Sequence, residues 1–195
     1  MKPVRYAEKK ESFWTRKKVY TLLMGLFFIS LMVFSVLYYG LDNTNQKKVT
    51  YRGLTFSQTS LGWQAYTDDN QRILLQSDPS TLDAENISST VDFSFVSSLQ
   101  KIYMSFNPED DVSAAITDFQ QNKPGSASLA AACYEDSEPC AELPLKTCED
   151  ATSTVGVILL KQGDVDTVSL DGNCLVIEGK NLLTIVDQLV VETYV

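Results

Sequence analysis

One stretch of the chain is apolar on every side. Residues 19–41, VYTLLMGLFFISLMVFSVLYYGL, run for 23 positions without a charge. At 1.5 Å per residue a helix of this length covers about 34 Å, enough to cross a hydrocarbon core of about 30 Å with some tilt. Trp14 and Tyr20 at one end and Tyr38 and Tyr39 at the other suit the two interfaces. The rest of the chain alternates or repeats on a scale that predicts a folded domain. Residues 50–76 predict a three-strand meander: 50–56 with Leu54 and Phe56 on one face, a second strand carrying Trp63 and Ala65, a turn at Thr67-Asp68-Asp69-Asn70, and a return at 72–76. Val91, Phe93 and Phe95 alternate with polar residues and predict one more half-buried strand, and 101–106 (KIYMSF) predicts another. Asn107-Pro108-Glu109-Asp110 carries the signals of a helix start, followed by an apolar stripe of Val112, Ala115, Ile116 and Phe119 and a stop at Lys123-Pro124-Gly125.

The remaining pattern completes an α/β body. Residues 127–133 predict a buried strand, and 155–161 (VGVILLK) reads as a central strand because it is continuously apolar. A turn at Gly172-Asn173 pairs Leu170 with Leu175 and Val168 with Ile177, so that these four share one face and Cys174 lies on the other. Residues 181–193 predict a closing helix with Leu182, Ile185, Val186 and Leu189 inward. Between the strands, residues 134–153 are long and aperiodic, and a loop of that length in a compact domain needs fastening. The expected organisation is a head (1–18), a transmembrane helix (19–41), a tether (42–49), a β-rich meander (50–99) and a mixed-sheet α/β domain (100–195).

Charge fixes the expected orientation. The head holds seven basic and two acidic residues, net +5, and the remainder of the chain beyond the span is net −14, in keeping with −9 for the whole. The positive-inside rule keeps the head in the cytoplasm and places 42–195 outside. The uncharged run is too long for the apolar region of a cleaved signal peptide and ends in Leu37-Tyr38-Tyr39 without an A-x-A pattern, so it reads as an uncleaved signal anchor. Arg16-Lys17-Lys18-Val19-Tyr20 lacks the small residue of a pilin-type processing site. An isolated Gly25 gives no helix-pairing motif, and the absence of ionisable residues in the span argues against an ion or proton path. A body this acidic is a poor match for nucleic acid.

Candidate chemistry is sparse. Cys133, Cys140, Cys148 and Cys174 all fall on the expected outer side, an even count that reads as two disulfides. Four cysteines allow three connectivities, and the expected staples are Cys133–Cys140 and Cys148–Cys174. There is no histidine and no C-x-x-C, which removes the usual zinc, redox and nucleophile–base arrangements. Asn86-Ile87-Ser88 fits a glycosylation sequon. Carboxylate chemistry or calcium binding could draw on Glu109, Asp110, Asp111, Asp164 and Asp166. The first two are also explained by a helix start, and the last two flank a turn. No glycine-rich phosphate cradle is present, so no cofactor is expected.

From residue 101 the order is strand, helix, strand, stapled loop, three strands, helix. This order is similar to a thioredoxin-like one whose second helix is replaced by a disulfide loop; without a C-x-x-C the likeness carries no activity. Separately, the segments YRGLTF, IYMSFNP and GNCLVIEG, with the cysteine spacing from Cys133 to Cys148, resemble a group of archaeal membrane proteins with one N-terminal span. The resemblance covers about half of the body. It implies an anchored outer domain with disulfides and supplies no activity. Two functions follow as expectations: a membrane-anchored extracytoplasmic interaction or structural domain that meets a protein or envelope partner, or an extracytoplasmic enzyme or redox protein. Turnover with converging carboxylates, or a labile disulfide, would mark the second.

Overall fold

A computed structural model describes residues 16–42, 47–84 and 91–195. Asn86, most of the basic head and the middle of the tether lie outside the described residues. The chain divides into two compact units, Met1–Gln46 and Lys47–Val195.

The first unit holds one helix, α1 (Arg16–Asp42). Within it Val19–Leu37 is long and apolar enough to cross a membrane, with a mean hydropathy of 2.2 and none of that stretch buried against protein. A helix that is hydrophobic all round belongs in an apolar surrounding, because no side of it prefers water. Met32, Val36 and Tyr20 are each 70% exposed or more.

The second unit opens with an antiparallel meander of four strands: β1 (Lys48–Tyr51), β2 (Leu54–Thr59), β3 (Gly62–Tyr66) and β4 (Arg72–Leu75), in that spatial order. The single strand expected over 50–56 is therefore a hairpin. Arg52 and Gly53 both take positive φ (46° and 85°), as a two-residue turn of the type that matches strand twist requires. Thr55 pairs back with Thr50 and Leu54 with Tyr51. The expected turn at 67–70 is present, with Asn70 at φ 60°. Gly62 stands at φ 131°, and a Cβ there would collide with the Leu75 carbonyl oxygen across the β3–β4 pair. Gly62→Ala is expected to cost about 1–3 kcal/mol, read as a lower urea midpoint of the full chain.

Residues 91–95 are not a strand. Asp92 Oδ1 accepts the Ser94 N–H at 2.7 Å and opens a short 3₁₀ turn, Ser94–Ser98. The buried residues are Phe93, Val96 and Leu99, spaced by three as that turn demands, while Phe95 is half-buried. The second sheet then begins. Its strands are β5 (Lys101–Phe106), β6 (Ser128–Ala132), β7 (Val155–Gln162), β8 (Thr167–Asp171) and β9 (Cys174–Gly179), in the order β6-β5-β7-β9-β8. All neighbours are parallel except the β8–β9 hairpin. Its register is the expected one, Leu170 with Leu175 and Val168 with Ile177. β7 is central, as its apolar run predicts. β6 is the edge strand of the sheet instead of a buried one: Ala131 is exposed and Ala130 half-buried.

Two helices cover one face of this sheet. α2 (Ser113–Asn122) starts later than the Asn107-Pro108 signal predicts. Asn107 Oδ1 accepts the Glu109 N–H at 3.0 Å and its carbonyl accepts the Asp110 N–H, so the motif closes a turn of its own and the helix begins beyond it. The stripe is as expected, with Val112, Ala115 and Phe119 buried and Ile116 partly so. α3 (Leu182–Tyr194) is capped by Asn181, whose side chain accepts the Thr184 N–H. Beyond the predicted inward residues, Asp187, Gln188, Val190 and Val191 are also buried, so α3 is enclosed on more than one side. Ile102, Met104, Ile158, Leu160, Leu175 and Ile177 of the mixed sheet, both helices, and Phe56, Trp63, Ile73 and Leu75 of the meander form one continuous core. A link between meander and helices is polar: the Asn122 amide donates to the Leu74 carbonyl at 2.7 Å and accepts the Leu74 N–H at 2.9 Å.

Candidate functional site

Open α/β sheets bind ligands outside the carboxyl ends of parallel strands, where neighbouring strands send their connections in opposite directions. β5 and β7 are such a pair. β5 leads to α2 and β6 on one side, and β7 leads across the end of β9 to β8 on the other. The loop leaving β5 carries Glu109, Asp110 and Asp111; the loop leaving β7 carries Asp164 and Asp166. The fold thus brings all five candidate carboxylates to one end of the sheet. It does not focus them: Glu109, Asp111 and Asp164 are exposed, and Asp166 is engaged, its Oδ1 accepting the Lys180 N–H at 3.0 Å. Among the described residues no three acid, cysteine or histidine side chains are grouped to hold a metal ion.

Spacing alone does not reveal the residues that join them. Tyr134 follows β6, and Lys161 near the end of β7 lies with its ammonium 5.2 Å from the Tyr134 ring centre. Asn107 donates to Glu135 Oε1 at 3.4 Å, tying the β5 and β6 exits together. Burial raises the Tyr134 phenol above its ordinary value, helped by the negative charges of Asp110, Glu135 and Glu178. The end of the sheet therefore presents a phenol held in its protonated form, an aromatic face, the Lys161 ammonium beside it and solvent-facing carboxylates. These groups can bind, but they assemble no nucleophile–base pair.

The face of the sheet opposite the helices is roofed by the stapled loop. The sulfurs of Cys133 and Cys140 are 2.00 Å apart and those of Cys148 and Cys174 2.01 Å, the two pairs expected, and no cysteine is free. Cys133 exchanges backbone hydrogen bonds with Pro144 and Lys146, and the Ser105 hydroxyl donates to the Lys146 carbonyl at 2.6 Å. Thr147 and Asp150 close a capping box over Cys148–Asp150. Beneath this roof Val157, Leu159 and Cys174 form a second small core with Tyr134, Ala151 and Val176. At its margin the Lys101 ammonium donates to the Tyr103 hydroxyl at 2.9 Å, and Lys146 sits 5.3 Å from the same ring while pairing with Asp150 at 2.8 Å. The hydrogen bond from Lys101 lowers the Tyr103 phenol, that from Lys146 lowers Asp150, and the Asp150 carboxylate raises Lys146. These groups face water, so their mutual attraction is weak.

Two further acids lie on the covering helices. Asp118 on α2 and Asp187 on α3 are both fully buried. Each stands beside an apolar stripe, where an acid ordinarily reads as the solvent side. In Asp187 the sequence did hold a signal: it interrupts an otherwise apolar run, Ile185-Val186-Asp187-Gln188-Leu189-Val190-Val191.

No family model, no curated protein and no solved structure matches the chain. Fold and site together define a mixed α/β module of two sheets that follows one long apolar helix.

Proposed function

We propose that this chain is a single-span membrane protein whose head stays in the cytoplasm and whose residues 42–195 stand outside as an interaction or structural module. The observation that carries the reading is α1: a 19-residue apolar stretch, Val19–Leu37, with no part buried by protein. A bilayer removes that surface from water, and the seven basic residues before it set the direction. The paired cysteines support the outer placement, since disulfides persist in oxidising surroundings. The partner is a protein or envelope component, and the end of the sheet around Tyr134 is the surface best furnished to meet it. A thioredoxin-like order is proposed only as an order of elements, and it carries no activity. The enzyme reading finds no support in the carboxylates, which spread over two loops facing solvent.

The test is thiol mapping in native membranes, with a membrane-impermeant reagent added before denaturation. All four cysteines are expected to be unlabelled, and peptide fragments to join Cys148 to Cys174. Free, reactive thiols would place the body in the cytoplasm or give the cysteines other work, and the reading would fall. Crosslinking through the body is expected to capture one recurrent partner; a scatter of random neighbours would remove the interaction module.

A further inference from the structure

Asp118 and Asp187 meet where α2 packs on α3, and the chain leaving β4 closes the space around them. Both are fully buried. Asp187 accepts two backbone N–H groups, Ser77 at 2.7 Å and Gln76 at 3.4 Å. Asp118 Oδ2 is approached by the Asn122 amide at 3.3 Å, while its Oδ1 has no partner as a carboxylate oxygen. The two side chains are within hydrogen-bonding reach of each other. Among the described residues neither has a Lys or Arg at ion-pair distance.

The other ionisable groups on the packed elements are engaged elsewhere. Glu192 on α3 pairs with Arg52, and the Tyr194 hydroxyl donates to the Asn122 carbonyl at 2.6 Å and accepts from Gln71. Asp78, after β4, pairs with Lys47, and Lys123, after α2, donates to the Gly125 carbonyl. Arg72 on β4 is exposed. The core face of the mixed sheet contributes only apolar side chains here, Ile158, Leu160, Leu175 and Ile177. Two carboxylates in a dry site with no cation cannot both be charged. A single proton resolves the site: carried on Asp118 Oδ1, it supplies the donor that this orphan oxygen lacks, and it points at Asp187, whose charge the Ser77 and Gln76 N–H groups hold.

We propose that this pair is a one-proton latch: the proton shared by Asp118 and Asp187 holds α2, α3 and the chain leaving β4 together, and its loss at alkaline pH opens that seam. Burial, and after it the charge of Asp187, pushes Asp118 up to about 9, and burial also raises Asp187. In the unfolded chain both acids are ionised above about pH 4. From there up to the folded value the native state holds one proton more than the unfolded one. Stability therefore falls as pH rises, and the unfolding constant grows by up to about tenfold per pH unit.

The experiment uses the full chain in lipid nanodiscs, wild type beside Asp118→Asn, which keeps a donor at Oδ1 or its equivalent and cannot ionise. Infrared difference spectra of the wild type are expected to show a protonated carboxyl band at neutral pH that disappears on alkaline titration and is missing from the variant. The tenfold-per-unit slope is expected to flatten in Asp118→Asn. Amide exchange at Leu74, Gln76 and Ser77, corrected for intrinsic rates, is expected to rise against the β7 amides at alkaline pH in the wild type only. If the wild type shows no protonated carboxyl band at neutral pH, the latch is refuted, whether or not the variant folds. Equal pH slopes and equal exchange in both proteins would refute it as well.

Discussion

Replacing Phe119 by alanine is expected to lower the unfolding free energy by about 3–5 kcal/mol, a large share of the stability of a domain this size. Phe119 is fully buried in the middle of α2, and its ring meets Phe93 edge to face with centroids 4.8 Å apart. It is where the helix, the 3₁₀ turn after residue 93 and the sheet converge, so no single neighbour can shift to fill the space. The loss combines the transfer of apolar surface and the cavity left behind. Urea denaturation of the full chain measures it; a change under about 1 kcal/mol would mean that the site collapses freely and that the packing described is wrong. Phe119→Leu, which keeps most of the volume, is expected to lose far less.

Removing the longer staple has an effect of the same order. Cys148→Ala together with Cys174→Ala is expected to cost about 3–4 kcal/mol, because the crosslink closes a segment with a sequence separation of 26 in the unfolded chain. The Cys133–Cys140 pair closes a separation of only 7 and is expected to contribute about 2–3 kcal/mol. The longer staple also has a local role. Cys174 belongs to the small core under the loop, with Val157 and Leu159, so its loss exposes that face of β7 and β9. Denaturation of the two double variants, each against oxidised wild type, ranks the staples; the reverse ranking would show that loop length does not govern them.

Most of the framework was readable from periodicity because strong local patterns and the tertiary fold agree there. The run at 101–106 became β5 residue for residue, the apolar run at 155–161 became the central strand, and the hairpin register followed from which residues must share a face. Errors fell where one short signal has two physical uses. Asn107-Pro108 can start a helix or close a turn, and the side chain chose the turn. Alternation at Val91, Phe93 and Phe95 also contains a spacing of three from Phe93 to Val96 and Leu99, and burial selected that one. The turn at Arg52-Gly53 breaks the strand expected over 50–56, and arginine is an unusual residue at positive φ.

The site was harder to see than the fold. The acidic loops at 109–111 and 164–166 were visible as charge, but sharing one end of the sheet depends on β5 and β7 being neighbours, a pairing between positions over fifty apart that no local pattern encodes. Tyr134 and Lys161 meet for the same reason. Asp187 was hidden because α3, enclosed on several sides, buries residues that a one-sided stripe assigns to water, and Asp118 because it shares the buried face of α2 with Ala115, Phe119 and Asn122, where an acid is read as solvent-facing.

The amide of Asn122 has a consequence beyond joining two elements. Both main-chain groups of Leu74 point away from β3, the side on which another strand would add, and the Asn122 side chain takes them as a neighbouring peptide would. Asp187 takes the next donor along, at Gln76. The helices thereby deny this margin to any second molecule. Wherever copies of the chain reach high local density, an open margin of this kind would template strand exchange and aggregation between them. One asparagine and one aspartate, set on helices, close the β4 margin of the meander to its own kind.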